Sequence, residues 1–100
     1  MDANTFGPRD RLDGETVVIT GGTGAIGAAT ARRAAAIGAR VVLLLRGSVD
    51  AAETTIATLS GSGHGAVTAS VTDSKSLAAA AETVTTRWAP ASVLINCAGF

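Results

Sequence analysis

The chain has 100 residues, 47% hydrophobic and 16% charged with only two prolines, a composition that folds around one modest apolar core and excludes a disordered polymer or a pair of large domains. Eight basic residues balance eight acidic ones, so no net field recruits nucleic acid or an anionic membrane surface. A single cysteine, Cys97, excludes an internal disulfide and any multi-cysteine metal site. Residues 1–14 mix five charged residues with Gly7 and Pro8 and read as an N-terminal arm, without the apolar stretch of a secretory signal, so a cytoplasmic location is expected.

Thr16 to Thr20 is a short β-branched run that ends in glycines, as in a parallel strand buried on both faces. The uncharged stretch Thr16 to Ala31 is interrupted by four glycines and is no membrane span. From Ala25 to Ile37 the chain becomes alanine-rich, with Gly38 placed to stop a helix. Val41 to Leu45 predicts a second buried strand, followed by a turn at Arg46-Gly47-Ser48. Asp50 and Glu53 have the spacing of a capping box, and Ala52, Ile56 and Leu59 extend one apolar helical face.

Ser60 to Gly65 reads as a flexible loop, with His64 a solvated residue inside it, and Ala66 to Val71 as a third strand. Asp73 is placed to cap a third helix. Leu77, Ala81, Val84 and Trp88 fall on one face of that helix, Trp88 as core, and Pro90 marks its exit. Val93 to Ile95 predicts a fourth strand that runs into Asn96-Cys97-Ala98-Gly99.

Strands separated by helices of this length must be parallel with right-handed crossovers. The predicted architecture is a Rossmann-type doubly wound parallel sheet in three α/β/α layers, represented by four strands. In such sheets ligands bind outside the carboxyl ends of the strands, where strands one and four diverge.

Gly22-Thr23-Gly24-Ala25-Ile26-Gly27 matches G-x-G-x-x-G between a predicted strand and a predicted helix. The pattern leaves a backbone bare enough for phosphate to approach and places a positive helix end beside it. An acidic residue at the end of the second strand would bind the 2′-hydroxyl of an adenosine ribose. Here stand Leu44, Leu45 and Arg46. A guanidinium suits a 2′-phosphate, and Ser48 can add a hydrogen bond, so NADP(H) is expected over NAD(H).

With Thr20-Gly21-Gly22-Thr23-Gly24-Ala25-Ile26-Gly27 and Asn96-Cys97-Ala98-Gly99 both at strand ends, residues Leu12 to Phe100 resemble the short-chain dehydrogenase/reductase family. The resemblance implies that residues 15–100 are the N-terminal part of an NAD(P)-binding domain. It implies hydride transfer to or from a small-molecule carbonyl or alcohol, and a complete enzyme that is a homo-oligomer, dimer or tetramer. It places Gly21, Gly22, Thr23, Gly24, Ala25, Ile26 and Gly27 around the pyrophosphate, and Arg46, Gly47 and Ser48 at the adenosine phosphate. Ser70 and Val71 fall at the adenine, and Asn96, Cys97, Ala98 and Gly99 beside the sheet and ribose.

Three positions depart from the family pattern. Ala25 stands where short members carry glycine, Cys97 where a second asparagine is frequent, and Ser70 where an aspartate often meets adenine. The family's catalytic serine, tyrosine and lysine have no counterpart among these residues, because the chain holds no tyrosine and its one lysine, Lys75, has Val71 four positions before it. No catalytic or metal-ligating residue is expected within the chain. A non-catalytic nucleotide-binding or regulatory module is the alternative reading, while a methyltransferase is disfavoured by the missing acid after the second strand.

Overall fold

A computed structural model describes residues 11–97. Strands and helices alternate as β1 (Thr16–Thr20), α1 (Ala25–Ala36), β2 (Arg40–Leu45), α2 (Asp50–Ala57), β3 (Gly65–Thr68), α3 (Ser74–Arg87) and β4 (Val93–Asn96). The strands form one parallel sheet in the order β3-β2-β1-β4. Because β4 joins the opposite side of β1 from β2, the carboxyl ends of β1 and β4 border a crevice.

Alternation along each strand sends successive side chains to opposite faces. Val17, Ile19, Val41 and Leu43 pack beneath Ala31, Ala34 and Ala35 of α1 and Ala52 of α2. Val18, Val42, Leu44 and Val67 pack against Ala80 and Val84 of α3. Helices on both faces make the expected three layers. Alanines on the inner face of α1 let the helix lie close to the central strands, and the five residues of β1 are all buried.

Helix α1 ends where its sequence has glycine. Gly38 takes φ +102°, its N–H donates to Ala35 O at 3.0 Å, and Ala39 N–H donates to Ala34 O at 3.1 Å. That left-handed turn gives the carbonyls of the last helical turn their partners. Asp73 caps α3 as expected, accepting from Lys75 N–H at 3.0 Å and Ser76 N–H at 3.4 Å.

Elsewhere the sequence reading needs correction. Asp50 and Glu53 form no capping box: Val49 is the capping residue, and Ser48 Oγ accepts from Asp50 N–H at 3.1 Å instead. The third strand begins at Gly65 and stops at Thr68, because Ser70 and Thr72 hydroxyls turn the chain toward α3. On α3, Ala80 is buried and Ala81 exposed.

His64 is not a solvated loop residue. Its Nδ1 accepts from Val41 N–H at 3.0 Å, and its Nε2 lies 2.6 Å from Ser60 O. A backbone N–H can only donate and a carbonyl only accept, so these contacts select the tautomer with its proton on Nε2. Trp88 is half-buried and reinforces the same loop, with Nε1 donating to Gly63 O at 2.7 Å. Gly65 makes room for it, since a Cβ there would fall against the indole ring. Replacing His64 with leucine strands the Val41 amide, and the expected loss of stability is about 1–3 kcal/mol, measured as a lower urea midpoint.

Candidate nucleotide-binding cleft

Beyond Thr20 the chain reverses over the carboxyl end of the sheet. Gly21 adopts φ +67°, a left-handed conformation open to glycine at no steric cost. Its N–H donates to Leu44 O at 3.3 Å, and its carbonyl accepts from Gly24 N–H at 3.1 Å. Gly24, extended at φ −76° and ψ 168°, then caps α1 without a side-chain hydrogen bond. The first turn of α1 holds no acidic residue, so the positive end of its dipole is not offset by its own side chains.

The glycines have separate physical duties. A Cβ on Gly27 would collide with the Gly21 carbonyl and come within 2.8 Å of Gly22 Cα, and one on Gly22 would run into the Leu43 side chain. Both positions are buried by the packing of loop against helix and sheet. Gly24 is exposed, and a Cβ there would meet only Gly21 O, at an ordinary 3.5 Å. The need for a bare backbone at Gly24 therefore does not come from packing within the protein.

A cleft of about 810 Å³ opens beside this loop, lined by Thr20, Gly21, Thr23 and Gly24 at one end and by Ala69, Val71 and Thr72 at the other, with Leu45, Arg46, Gly47, Ala51 and Cys97 among the residues between. Of the described lining residues Arg46 carries the one permanent charge. Arg46 is exposed, and Leu45 before it is an aliphatic side chain only 8% exposed. Thr68 Oγ1 fixes the turn by donating to Gly47 O at 3.1 Å. On the other flank Thr20 Oγ1 donates to Asn96 Oδ1 at 2.6 Å and accepts from Cys97 N–H at 3.1 Å, which ties the end of β4 to β1.

The short chain dehydrogenase family model matches residues 15–100 of this sequence. The chain belongs to the short-chain dehydrogenase/reductase family. A glycine betaine reductase of Emericella nidulans is 38% identical over 94 residues, covering 92% of this chain and 7% of that protein. A short-chain dehydrogenase/reductase from Serratia marcescens superposes with a TM-score of 0.80 at 30% identity, over 89% of this chain and 37% of its own. A dehydrogenase/reductase from Sinorhizobium meliloti gives 0.82 at 29% identity, over 90% and 36%. The chain thus spans about a third of these structures and a small part of the curated relative.

Within this short-chain dehydrogenase fold, Gly21, Thr23, Gly24, Arg46, Gly47, Val71 and Cys97 come together as cleft lining. Gly22 and Gly27 lie behind them as packing positions. Ala25 and Ile26 open α1 and are exposed, Ile26 by 76%, without lining the cleft. Three further candidates do not line it. Ser48 Oγ accepts from Asp50 N–H at the start of α2, Asn96 holds Thr20, and Ser70 is occupied in its turn, with its hydroxyl 2.9 Å from Thr72 Oγ1 and its N–H donating to Ser76 Oγ at 2.9 Å. Ala98 and Gly99 lie outside the described residues.

Leu44, Leu45, Ala51, Ala69 and Thr72 line the cleft although the motifs did not single them out. Parallel register carried the missing signal, because Thr20 aligns with Leu44 and Leu45 with Thr68, so the strand ends stand side by side. Among the described residues no group of three or more His, Cys, Asp or Glu could hold a metal ion. No helix among them is long and apolar enough to cross a membrane.

Proposed function

We propose that residues 15–100 form the N-terminal part of the dinucleotide-binding domain of an NADP(H)-dependent oxidoreductase acting on a small-molecule carbonyl or alcohol. The observation that carries this reading is Arg46 at the lip of the cleft, preceded by buried Leu45 where an acidic residue would favour NAD(H). The residues present fit the cofactor: a helix end without a side-chain cap and the exposed Gly24 backbone offer N–H groups to a pyrophosphate. Arg46, with the Gly47 turn and the free Ser48 proton, offers a cationic seat to a 2′-phosphate. Val71 supplies apolar surface to the base. Asn96 and Cys97 hold the end of β4 against Thr20.

When bound, the nicotinamide supplies or accepts the hydride. This chain's own residues bind and orient the dinucleotide, while the proton that must accompany hydride transfer has no tyrosine here to carry it. Purified alone, these hundred residues are expected to bind NADPH without oxidising it against a panel of carbonyls. They are also expected to self-associate, because Leu94 of β4 is 67% exposed and β1 is the strand's described partner. Calorimetric titration, an NADPH-oxidation assay and size-exclusion chromatography check the three parts; steady turnover by a monomer would overturn the division of labour proposed here.

A further inference from the structure

The backbone of Arg46 is held at the lip of the cleft through its two neighbours in the chain, both tied to the end of β3. Leu45 O accepts from Ala69 N–H at 2.8 Å, and Gly47 O accepts from Thr68 Oγ1 at 3.1 Å. The first tie joins main chain to main chain and forms with almost any sequence. The second depends on a single hydroxyl. Packing gives it no help, because Gly47 is exposed and a Cβ built there would meet nothing within 4 Å, and glycine has more backbone freedom to lose than any other residue. Register delivers the hydroxyl: Thr68 pairs with Leu45, the last residue of β2, and so stands beside the turn that follows. Thr68 is itself exposed and lies outside the cleft lining, so neither core packing nor contact with a bound molecule accounts for it.

We propose that Thr68 is a positioning residue for the cofactor's 2′-phosphate, acting through the turn that carries Arg46. The proposal rests on the dinucleotide reading above and deepens it. Gly47 directly follows Arg46, so the bond to its carbonyl restrains the backbone that aims the guanidinium. It also keeps that oxygen, a negative dipole end, from turning toward an anion it would repel. The far flank of the turn is anchored separately: Ser48 Oγ accepts from Asp50 N–H and Ser48 O from Ala51 N–H, both at 3.1 Å. With both flanks tied, Arg46 meets the phosphate from a turn that is already ordered, and less of the ion pair's strength is lost to ordering it on binding. A 2′-hydroxyl makes no ion pair with Arg46, so NADH does not depend on this restraint.

Thr68→Val keeps the shape and strand preference of threonine and removes only the hydroxyl. Calorimetric titration of the full chain is expected to show NADPH binding weakened by about threefold to tenfold, the range of one neutral hydrogen bond, with NADH binding unchanged. Thr68→Ala should behave in the same way, whereas Thr68→Ser should keep the parental affinity. In an Arg46→Ala background, Thr68→Val should weaken NADPH no further, because the group it positions is gone. Backbone relaxation by NMR gives a readout that needs no cofactor: Gly47 should become more mobile in Thr68→Val and not in Thr68→Ser. Equal losses for NADPH and NADH, an undiminished loss in the Arg46→Ala background, or parental NADPH affinity in either folded variant would overturn the positioning role. Failure of the parent to bind either dinucleotide would instead overturn the cofactor reading on which it rests.

Discussion

Replacing Arg46 with alanine is expected to weaken NADPH binding by roughly tenfold to a hundredfold, the range of a charge-assisted hydrogen bond, and to leave NADH binding nearly unchanged. The contrast follows from what each cofactor presents at the end of β2. A 2′-phosphate brings a charge that the guanidinium can hold through two donors, while a 2′-hydroxyl brings none and needs an acceptor that buried Leu45 does not supply. The side chain is exposed and its removal uncovers no core, so folding should be unaffected. Exposure also means screening, and the NADPH preference of the parent should narrow as salt is raised. Titrations of both cofactors with the parent and Arg46→Ala give the result directly. An unaltered preference in the variant would remove Arg46 from the site.

Much of this arrangement was legible in the sequence because its strands are buried on both faces. Thr16 to Thr20 and Val41 to Leu45 carry their burial in composition alone, since a strand covered by helices above and below has no polar side to blur the pattern. The glycine loop was equally legible, because its demands on the backbone are met by one residue type. The third strand was harder to read. Only four residues pair with β2, and its continuation as Ala69-Ser70-Val71 looks strand-like until Ser70, Thr72 and Ser76 exchange hydrogen bonds that bend it into α3.

His64 shows a different limit. Nothing in Ser-Gly-Ser-Gly-His-Gly distinguishes a solvated imidazole from one that completes the hydrogen bonding of a strand 23 residues earlier. Such contacts are tertiary, and local propensity carries no record of them. Ser70 and Thr72 make the same point within the site. Alignment with the family pattern selects the first, while the direction of the turn delivers the second to the cleft.

Gly27→Val and Gly24→Val should separate folding from binding. At Gly27 the new side chain is driven against the Gly21 carbonyl and the Gly22 backbone, main-chain atoms of the turn tied to the sheet through Leu44 O, which cannot retreat as a flexible side chain would. The expected cost is about 3 kcal/mol or more, at the upper end of overpacking effects, with cooperative unfolding at markedly lower urea. At Gly24 the backbone lies in an extended region that valine adopts readily, and the nearest protein atom to a Cβ is an ordinary contact away. That variant should fold with nearly parental stability. Its branched side chain would nevertheless stand between a pyrophosphate and the N–H groups that open α1, so binding of NADPH and NADH should fall together, by about tenfold or more. Urea unfolding and paired cofactor titrations on the two variants decide the matter. Parental affinity in a well-folded Gly24→Val protein would place the pyrophosphate elsewhere, and parental stability in Gly27→Val would mean that the loop and helix do not pack as closely as described.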